Sequence, residues 1–223
     1  MRCVLFDLDG TLIDTWWLYV ESYRRTLHSH YGRHITVEEI AALKPTSERQ
    51  LLRHAVGVAA EEQFYRAFLD HYKTLHDTHY EGVYAGVLEL LSALRARGLR
   101  LGLVTGKSRA AWEITAEYCG LGAFETVVTD EDVQAPKPHP DGLQQALRRL
   151  AVPPAEALYV GDSLADLGAA QAAGVAFVGV LWCKAPEERE AFRAEALGRG
   201  ALGCIENPQA LLGVLTTDRA EAR

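Results

Sequence analysis

The chain has 223 residues, of which 48% are hydrophobic and 24% are charged, a composition typical of a globular protein. Its net charge of −7 argues against a nucleic-acid backbone as a partner. No apolar run approaches the roughly 20 residues that a membrane helix needs, and because a strand is predicted from residue 2, we expect no secretory leader. We therefore expect a cytoplasmic monomer or homodimer with no membrane and no nucleic acid among its partners.

The chain begins with a predicted strand over residues 2 to 6. Asp7 and Asp9 follow it, with Gly10 directly behind them. Alternate side chains of an extended chain point to the same side, so the two carboxylates can face one space. Carboxylates at close range repel each other, so a cation, a proton or a lysine is needed beside them. Taken alone, the segment also fits an ordinary Asp-Gly turn.

Residues 15 to 80 carry long helical patterns, many aromatic side chains and no convincing strand. Asp14 and Thr15 are suited to cap the first helix. Because the first strand has no partner nearby, it most simply joins later strands. This makes residues 1–14 and 82–223 the core and residues 15–81 a helical insertion. For Trp16 and Trp17 we favour packing in the core or at the hinge over lining the entrance of a site.

Neither the histidines nor the cysteines predict a zinc site. Of His71, His76 and His79, only the last two share a helical spacing, so solvated or interfacial positions are favoured. The four cysteines are far apart and form no C-x-x-C pair. We expect free thiols, with Cys3 and Cys204 buried.

From about residue 84 onward, strand-like runs alternate with helical runs. This alternation indicates right-handed β-α-β crossovers, so the predicted fold is α/β, with a doubly wound parallel sheet. Later strands are predicted over residues 101–104, 126–129, 158–160, 176–180 and 202–205. Two apolar helical faces are predicted, one with Val87, Leu88, Leu91 and Leu94, the other with Leu143, Ala146, Leu147 and Leu150.

The polar residues of the core follow the carboxyl ends of predicted strands, where ligands of doubly wound sheets bind. Carboxylates suit Mg²⁺, a lysine offsets their charge and that of a phosphate, and a hydroxyl or helix-start amides donate to phosphoryl oxygens. If a helix begins near Ser163, Asp166 returns on its first turn toward the same site as Asp162. The pattern predicts a metal-assisted phosphoryl site built from Asp7, Asp9, Thr105, Gly106, Lys107, Lys137, Asp162, Ser163 and Asp166.

In sequence order, these residues resemble the four signature motifs of the haloacid dehalogenase-like (HAD) superfamily. The motifs are Asp7-Leu-Asp-Gly-Thr11, then Thr105 after its strand, then Lys137, and finally Gly161-Asp-Ser-x-x-Asp166. The helical insertion looks like the cap of the phosphatase branch. Residues 104–107 and 127–140 look like the phosphoglycolate phosphatase group. The resemblance implies a Rossmann-like core with a helical cap and the activity of a phosphoric monoester hydrolase.

The resemblance also implies residue roles. Asp7 would be the nucleophile that forms an aspartyl-phosphate, and Asp9 the general acid for the leaving alcohol and then the base for water. Thr105 and Lys137 would bind the transferring phosphoryl group. A Mg²⁺ ion would be held by Asp7, the Asp9 backbone carbonyl and Asp162, with Asp166 orienting Lys137 or a metal-bound water, or touching the metal itself.

The expected substrate is a small phosphorylated metabolite, with 2-phosphoglycolate the first candidate. Candidate substrate-binding residues beside Thr105 are Gly106 and Lys107 and, in the helical insertion, Lys44 and Arg49, whose cations could meet a substrate carboxylate. A solvated turn that caps a helix is the other interpretation of the segment around Lys44. The alternatives within the superfamily are a sugar phosphomutase, a pyrophosphatase or a nucleotidase. A non-enzymatic binding protein is disfavoured, because no nucleophile or metal ligand is missing.

Overall fold

The computed structural model of the chain describes residues 1–217 apart from 33, 44–48, 50–52, 54–56 and 58–60. The strands are β1 (Cys3–Phe6), β2 (Ile13–Asp14), β3 (Gly82–Val83), β4 (Arg100–Val104), β5 (Thr126–Val128), β6 (Ala157–Gly161), β7 (Ala176–Val180) and β8 (Gly203–Ile205). The helices are α1 (Trp16–Tyr31), α2 (Val37–Leu43), α3 (Glu61–His79), α4 (Val87–Ala96), α5 (Arg109–Cys119), α6 (Asp141–Leu150), α7 (Leu164–Ala173), α8 (Pro186–Gly198) and α9 (Ala210–Thr217).

Six strands form one parallel sheet in the order β5-β4-β1-β6-β7-β8. β1 lies at the centre, and its last residue, Phe6, pairs with Leu103 of β4 and Val160 of β6. The three strands therefore end at the same edge, so the residues that follow them meet there. The predicted doubly wound α/β fold is confirmed.

The central strand is buried on both of its faces. Val4 and Phe6 belong to the apolar cluster that includes α4, whereas Cys3 and Leu5 belong to the cluster that includes α6 and α7. Successive side chains of a strand alternate between its faces, and helices cover both sides of this sheet. This explains why β1 is apolar throughout.

The helical insertion has an apolar cluster of its own. Helices α1 and α3 supply most of it, with Leu18, Tyr23 and Leu27 from the first and Phe68 and Tyr72 from the second. Ala111 of α5 joins the same cluster, so the insertion packs against the core.

Two short strands join the helical insertion to the core. β2 and β3 pair antiparallel, with Ile13 opposite Val83 and Asp14 opposite Gly82. The chain thus leaves the core and returns to it side by side. The sequence did not predict this pair, because two-residue strands carry no readable alternation.

One predicted helical face is confirmed and the other needs a correction. Leu143, Ala146, Leu147 and Leu150 of α6 are all buried, as expected. In α4, however, Leu88 is 46% exposed and Leu90 is buried instead. Positions 87, 90, 91 and 94 follow the i, i+3, i+4, i+7 pattern of one helical face, and residue 88 lies outside it.

Trp16 and Trp17 are 42% and 48% exposed, so the favoured prediction of core or hinge packing is wrong for both side chains. All four cysteines are free, but Cys204 is only partly buried. Among the predicted strand ends, residue 129 falls outside β5, because Thr129 caps a 3₁₀ turn over Asp130–Asp132. In the described part of the chain, no helix combines the length and apolarity needed to cross a membrane.

Leu91→Ala is expected to lower the free energy of unfolding by about 2–5 kcal/mol, because it leaves a cavity under the central sheet. The matched control is Leu88→Ala in the same helix, which should change stability by less than about 0.5 kcal/mol because the side chain is exposed. Urea unfolding of both variants measures the two values. Equal losses would contradict the burial pattern of α4.

Candidate active site

The first carboxylate follows β1 without a break in the sheet pairing. The Asp7 N–H donates to the Val160 carbonyl at 2.9 Å, which extends the β1–β6 register by one residue. The turn that follows needs Gly10, whose φ is +77°, a conformation that strains other residues. A Cβ at Gly10 would also lie 2.9 Å from the carboxyl carbon of Asp162. Glycine thus lets the loop after β1 approach the loop after β6.

A capping box at the start of α7 fixes the last motif. The Ser163 hydroxyl accepts from the Asp166 N–H at 3.2 Å, and its own hydrogen goes to Asp166 Oδ2 at 2.6 Å. The Ser163 N–H donates to the same oxygen at 3.1 Å. Asp166 is completely buried in the first turn of α7, where the spacing from Asp162 places it.

Lys137 joins the two carboxylate loops. Its ammonium donates to Asp7 Oδ1 at 2.8 Å, to Asp166 Oδ1 at 2.6 Å and to the Tyr159 hydroxyl at 3.1 Å. These bonds use the three hydrogens of the ammonium. The loop between β5 and α6 therefore delivers its cation to the centre of the predicted site.

Burial and charge act differently on these carboxyls. Burial raises the pKa of Asp7 well above its usual range, and the nearby charges of Asp166 and Asp162 add to this. Burial would also raise the pKa of Asp166, but the Lys137 ammonium and side-chain hydrogen bonds outweigh it and lower that pKa. Desolvation would lower the pKa of Lys137, but the charges of Asp166 and Asp7 outweigh it and raise that pKa. A further cation beside Asp7 would therefore help it to stay ionised.

Tyr159 is a site residue that sequence reasoning missed. It lies in the middle of β6, where it counted as part of an apolar run. Its hydroxyl is 2.9 Å from Asp166 Oδ1 and 3.1 Å from the Val104 carbonyl. The available signal was the hydroxyl itself, since a phenol in a strand buried on both faces must find a polar partner.

The loop after β4 carries the predicted hydroxyl. Thr105 is buried, and its Oγ1 accepts from the Lys107 N–H at 3.1 Å, so the hydroxyl hydrogen can be donated to a phosphoryl oxygen. α5 begins only at Arg109, with Ser108 as its N-cap. Gly106 lies outside that helix, so the expectation that its amide belongs to the helix start is wrong.

Asp9 contacts two side chains that differ from the partners of the other carboxylates. Its Oδ1 accepts from the Thr15 hydroxyl at 2.5 Å and is paired with Lys107 Nζ at 3.1 Å. Thr15 therefore binds a site residue, while Asp14 performs the predicted capping by accepting from the Trp16 N–H at 3.3 Å. The two aspartates of the first motif have separate surroundings.

The remaining carboxylates form a candidate metal site. One oxygen from each of Asp7, Asp162 and Asp166 lies within 4.8 Å of the others. Such hard oxygen donors fit Mg²⁺. Both oxygens of Asp166 already accept hydrogen bonds from protein groups, which favours Asp7 and Asp162 as direct ligands. The buried excess of negative charge is what a divalent cation would neutralise.

Comparison with known proteins gives the family. Residues 4–180 match the family model described as haloacid dehalogenase-like hydrolase. The chain belongs to this family. Pyrophosphatase PpaX of Bacillus velezensis is 40% identical to it over 191 residues, which cover 82% of this chain and 84% of the relative.

Solved structures of the family share the fold. A Lactobacillus plantarum protein assigned as a phosphoglycolate phosphatase has a TM-score of 0.79 at 26% identity, covering 96% of this chain and 98% of its own. CbbY from Rhodobacter sphaeroides, solved in complex with phosphate, has a TM-score of 0.78 at 26% identity, covering 93% and 95%. The predicted superfamily, branch and enzyme class are confirmed: this chain is a haloacid dehalogenase-like hydrolase whose relatives are named as phosphatases.

Of the two substrate-binding cations predicted in the helical insertion, only Arg49 lies among the described residues. Lys44 lies outside the described residues. The Arg49 guanidinium stacks 3.8 Å from the ring centroid of Tyr65 and donates to Glu62 Oε2 at 3.1 Å. Both of these contacts are with α3. Arg49 as a substrate ligand stays a prediction.

Lys184→Gln is expected to tighten Mg²⁺ binding at the candidate metal site at least about fivefold, since two charges about 4 Å apart interact by about 1 kcal/mol even in bulk water. The Lys184 ammonium lies 3.5 Å from Asp162 Oδ2 and competes with a divalent cation for that carboxylate. Isothermal titration of the metal-free protein with MgCl₂ measures the change. Lys73→Gln on the exposed side of α3 is the control. Unchanged or weaker binding would contradict this competition.

Proposed function

We propose that this hydrolase is a Mg²⁺-dependent phosphatase that acts on a small phosphorylated metabolite through an aspartyl-phosphate. The observation that carries the proposal is that Lys137 bridges Asp7 and Asp166, whereas Asp9 pairs with Lys107 instead. A nucleophile and a proton donor need such separate surroundings, because one must stay ionised and the other must exchange a proton.

The residues divide the reaction into two balanced steps. In the first, a carboxylate oxygen of Asp7 bonds to phosphorus, the bond from phosphorus to the leaving oxygen breaks, and Asp9 gives that oxygen a proton. In the second, Asp9 takes a proton from water, the water oxygen bonds to phosphorus, and the bond to Asp7 breaks. Lys137 and Thr105 bind the phosphoryl oxygens throughout. Bound Mg²⁺ would supply further charge stabilisation, held by Asp7, Asp162 and the Asp9 backbone carbonyl.

Two substrates are the leading candidates, each favoured by a different observation. The residues around Thr105 and Lys137, together with the Lactobacillus plantarum neighbour, favour 2-phosphoglycolate. The relative at 40% identity is named a pyrophosphatase, which favours inorganic pyrophosphate. Both substrates end in a phosphoryl group that the same core residues would bind.

A phosphate-release screen tests the proposal. Purified protein is assayed against a broad panel of phosphate esters and pyrophosphate, with MgCl₂ and with EDTA, and substrates are ranked by kcat/KM because that ratio reports discrimination. We expect release only with the metal. A phosphomutase, the alternative from the same superfamily, would interconvert sugar phosphates with no stoichiometric phosphate. The absence of turnover over the whole panel with several divalent metals would refute the proposal.

A further inference from the structure

Lys107 is a buried cation that the two proposed steps do not use. Its side chain has no exposed surface and lies where the loop after β4 meets the helical insertion. Its Nζ donates to the Tyr19 hydroxyl of α1 at 2.6 Å and to the Tyr72 hydroxyl of α3 at 2.8 Å. Its third oxygen neighbour is Asp9 Oδ1, at 3.1 Å.

A chain of hydrogen bonds continues from this ammonium into the interface between α3 and α5. The Tyr72 hydroxyl is 2.9 Å from Thr115 Oγ1, and that oxygen is 3.1 Å from His76 Nε2. His76 Nδ1 lies 2.8 Å from the Tyr72 carbonyl. All four side chains that these hydrogen bonds connect are buried.

The direction of each bond in the chain follows from its two ends. An ammonium can only donate, so the Tyr72 hydroxyl accepts from Lys107. It gives its own hydrogen to Thr115, because the single hydroxyl hydrogen of Thr115 goes to His76. A carbonyl can only accept, so His76 carries its hydrogen on Nδ1 and accepts from Thr115 at Nε2. Burial, with the charge of Lys107 adding to it, lowers the pKa of His76, in keeping with this neutral form.

We propose that Lys107 is a positioning residue for proton transfer: it holds Asp9 Oδ1 through a polar chain anchored on Tyr72, Thr115 and His76, and leaves the other oxygen of Asp9 to exchange the proton. This rests on the proposed function, because Asp9 is the acid and base of that mechanism. Thr15 binds the same Oδ1 from the start of the insertion, so the carboxylate is held at one oxygen by two donors.

The competing role for Lys107 is that of a substrate ligand. Its ammonium already donates to two tyrosine hydroxyls and pairs with a carboxylate oxygen, so a substrate anion would have to compete with these contacts. The rings of Tyr19 and Tyr72 also lie near the ammonium, with centroids 4.2 and 4.9 Å away. If the ammonium moved toward an incoming carboxylate, it would lose these cation–π contacts as well.

Lys107→Met, which keeps an unbranched side chain as far as the ε position and removes the ammonium, tests the proposal with three substrates. Ethyl phosphate has an alkyl leaving group and no carboxylate. 2-Phosphoglycolate has an alkyl leaving group that also carries a carboxylate. 4-Nitrophenyl phosphate has a leaving group that departs without a proton. The ratio kcat/KM is measured because it covers the first step alone. We expect falls of about 10²-fold or more for both alkyl esters, the scale of general acid catalysis, and little change for the aryl ester. With the aryl ester, a burst of nitrophenolate should appear, because the second step also needs Asp9.

Two kinetic outcomes would overturn the proposal. A fall confined to 2-phosphoglycolate would make Lys107 a substrate ligand, and an equal fall for all three esters would make its role merely structural. Tyr72→Phe removes one hydroxyl and keeps the ring, and it should show the same leaving-group dependence with smaller falls in kcat/KM. This second variant keeps the test valid if Lys107→Met misfolds. Lys73→Met on the exposed side of α3 is the matched control.

A measurement without turnover separates this proposal from the proposed function. If the wild-type protein hydrolyses none of the three esters, the phosphatase proposal fails for them, and a double-mutant cycle still tests whether Lys107 holds Asp9. In urea unfolding, Lys107→Met, Asp9→Asn and their combination should be non-additive, because the two residues interact directly. Additive shifts of the unfolding midpoint would overturn the proposed hold on Asp9.

Discussion

Asp7→Asn is expected to reduce phosphate release from 4-nitrophenyl phosphate by roughly 10⁴-fold or more, the scale on which the loss of a covalent nucleophile acts. The amide cannot form the acyl phosphate, whereas Lys137, Thr105 and Asp162 keep their places. Steady-state phosphate release in MgCl₂ measures the loss. Asp70→Asn, on the exposed side of α3, is the matched control and should leave the rate unchanged.

Thermal unfolding accompanies the kinetics, so that misfolding is not read as lost chemistry. The substitution removes a charge whose ionisation burial already opposes, so we expect Asp7→Asn to fold normally. Ordinary turnover in a folded Asp7→Asn protein would mean that another group attacks phosphorus.

Lys137→Met should lower both the catalytic rate and the free energy of unfolding. The Lys137 side chain is 15% exposed, and its ammonium contacts Asp7 and Asp166, whose side chains are 10% and 1% exposed. Removing one partner of a buried ion pair leaves an uncompensated charge and costs about 3–5 kcal/mol of unfolding free energy. Loss of one electrostatic donor to the phosphoryl group should also lower kcat by roughly 10²- to 10³-fold.

The pH dependence of the stability lost in Lys137→Met identifies the cause of that loss. Lys137 lowers the pKa of both carboxyls, so in the variant those pKa values rise and acid neutralises the orphaned charges. The lowered pKa of Asp166 gives the wild type a contribution that is present above the unfolded pKa and is lost as the pH falls. The difference in unfolding free energy should therefore shrink from pH 7.5 toward acid in urea titrations. A difference that does not change with pH would indicate lost packing instead.

The order of motifs along the chain was enough to predict the centre of the site. Asp7, Thr105 and Asp162 directly follow strands that a parallel sheet must bring to one edge, so local order alone predicts their meeting. The capping box of Ser163 and Asp166 is likewise a local pattern.

The contacts of the helical insertion could not be predicted in the same way. Lys107 meets Tyr19 and Tyr72 across 88 and 35 residues of sequence, and no local pattern encodes such a meeting. The exposed position of Trp16 also depends on how its helix is rotated against its neighbours, whereas that of Leu88 follows from the helical pattern of positions 87, 90, 91 and 94. Composition states only that such side chains bury area on average.

Because β2 pairs with β3, the helical insertion could be exchanged for another segment. Its two covalent junctions, near Asp14 and Gly82, lie opposite each other, so a segment of another length could be grafted between them with little entropic cost for closing the loop. Such a graft would leave β1 and its neighbours in register, and with them Lys137 and the three clustered carboxylates. Lys107, by contrast, would lose its bonds to Tyr19 and Tyr72, so each replacement segment would have to bring its own anchor for the lysine that holds Asp9.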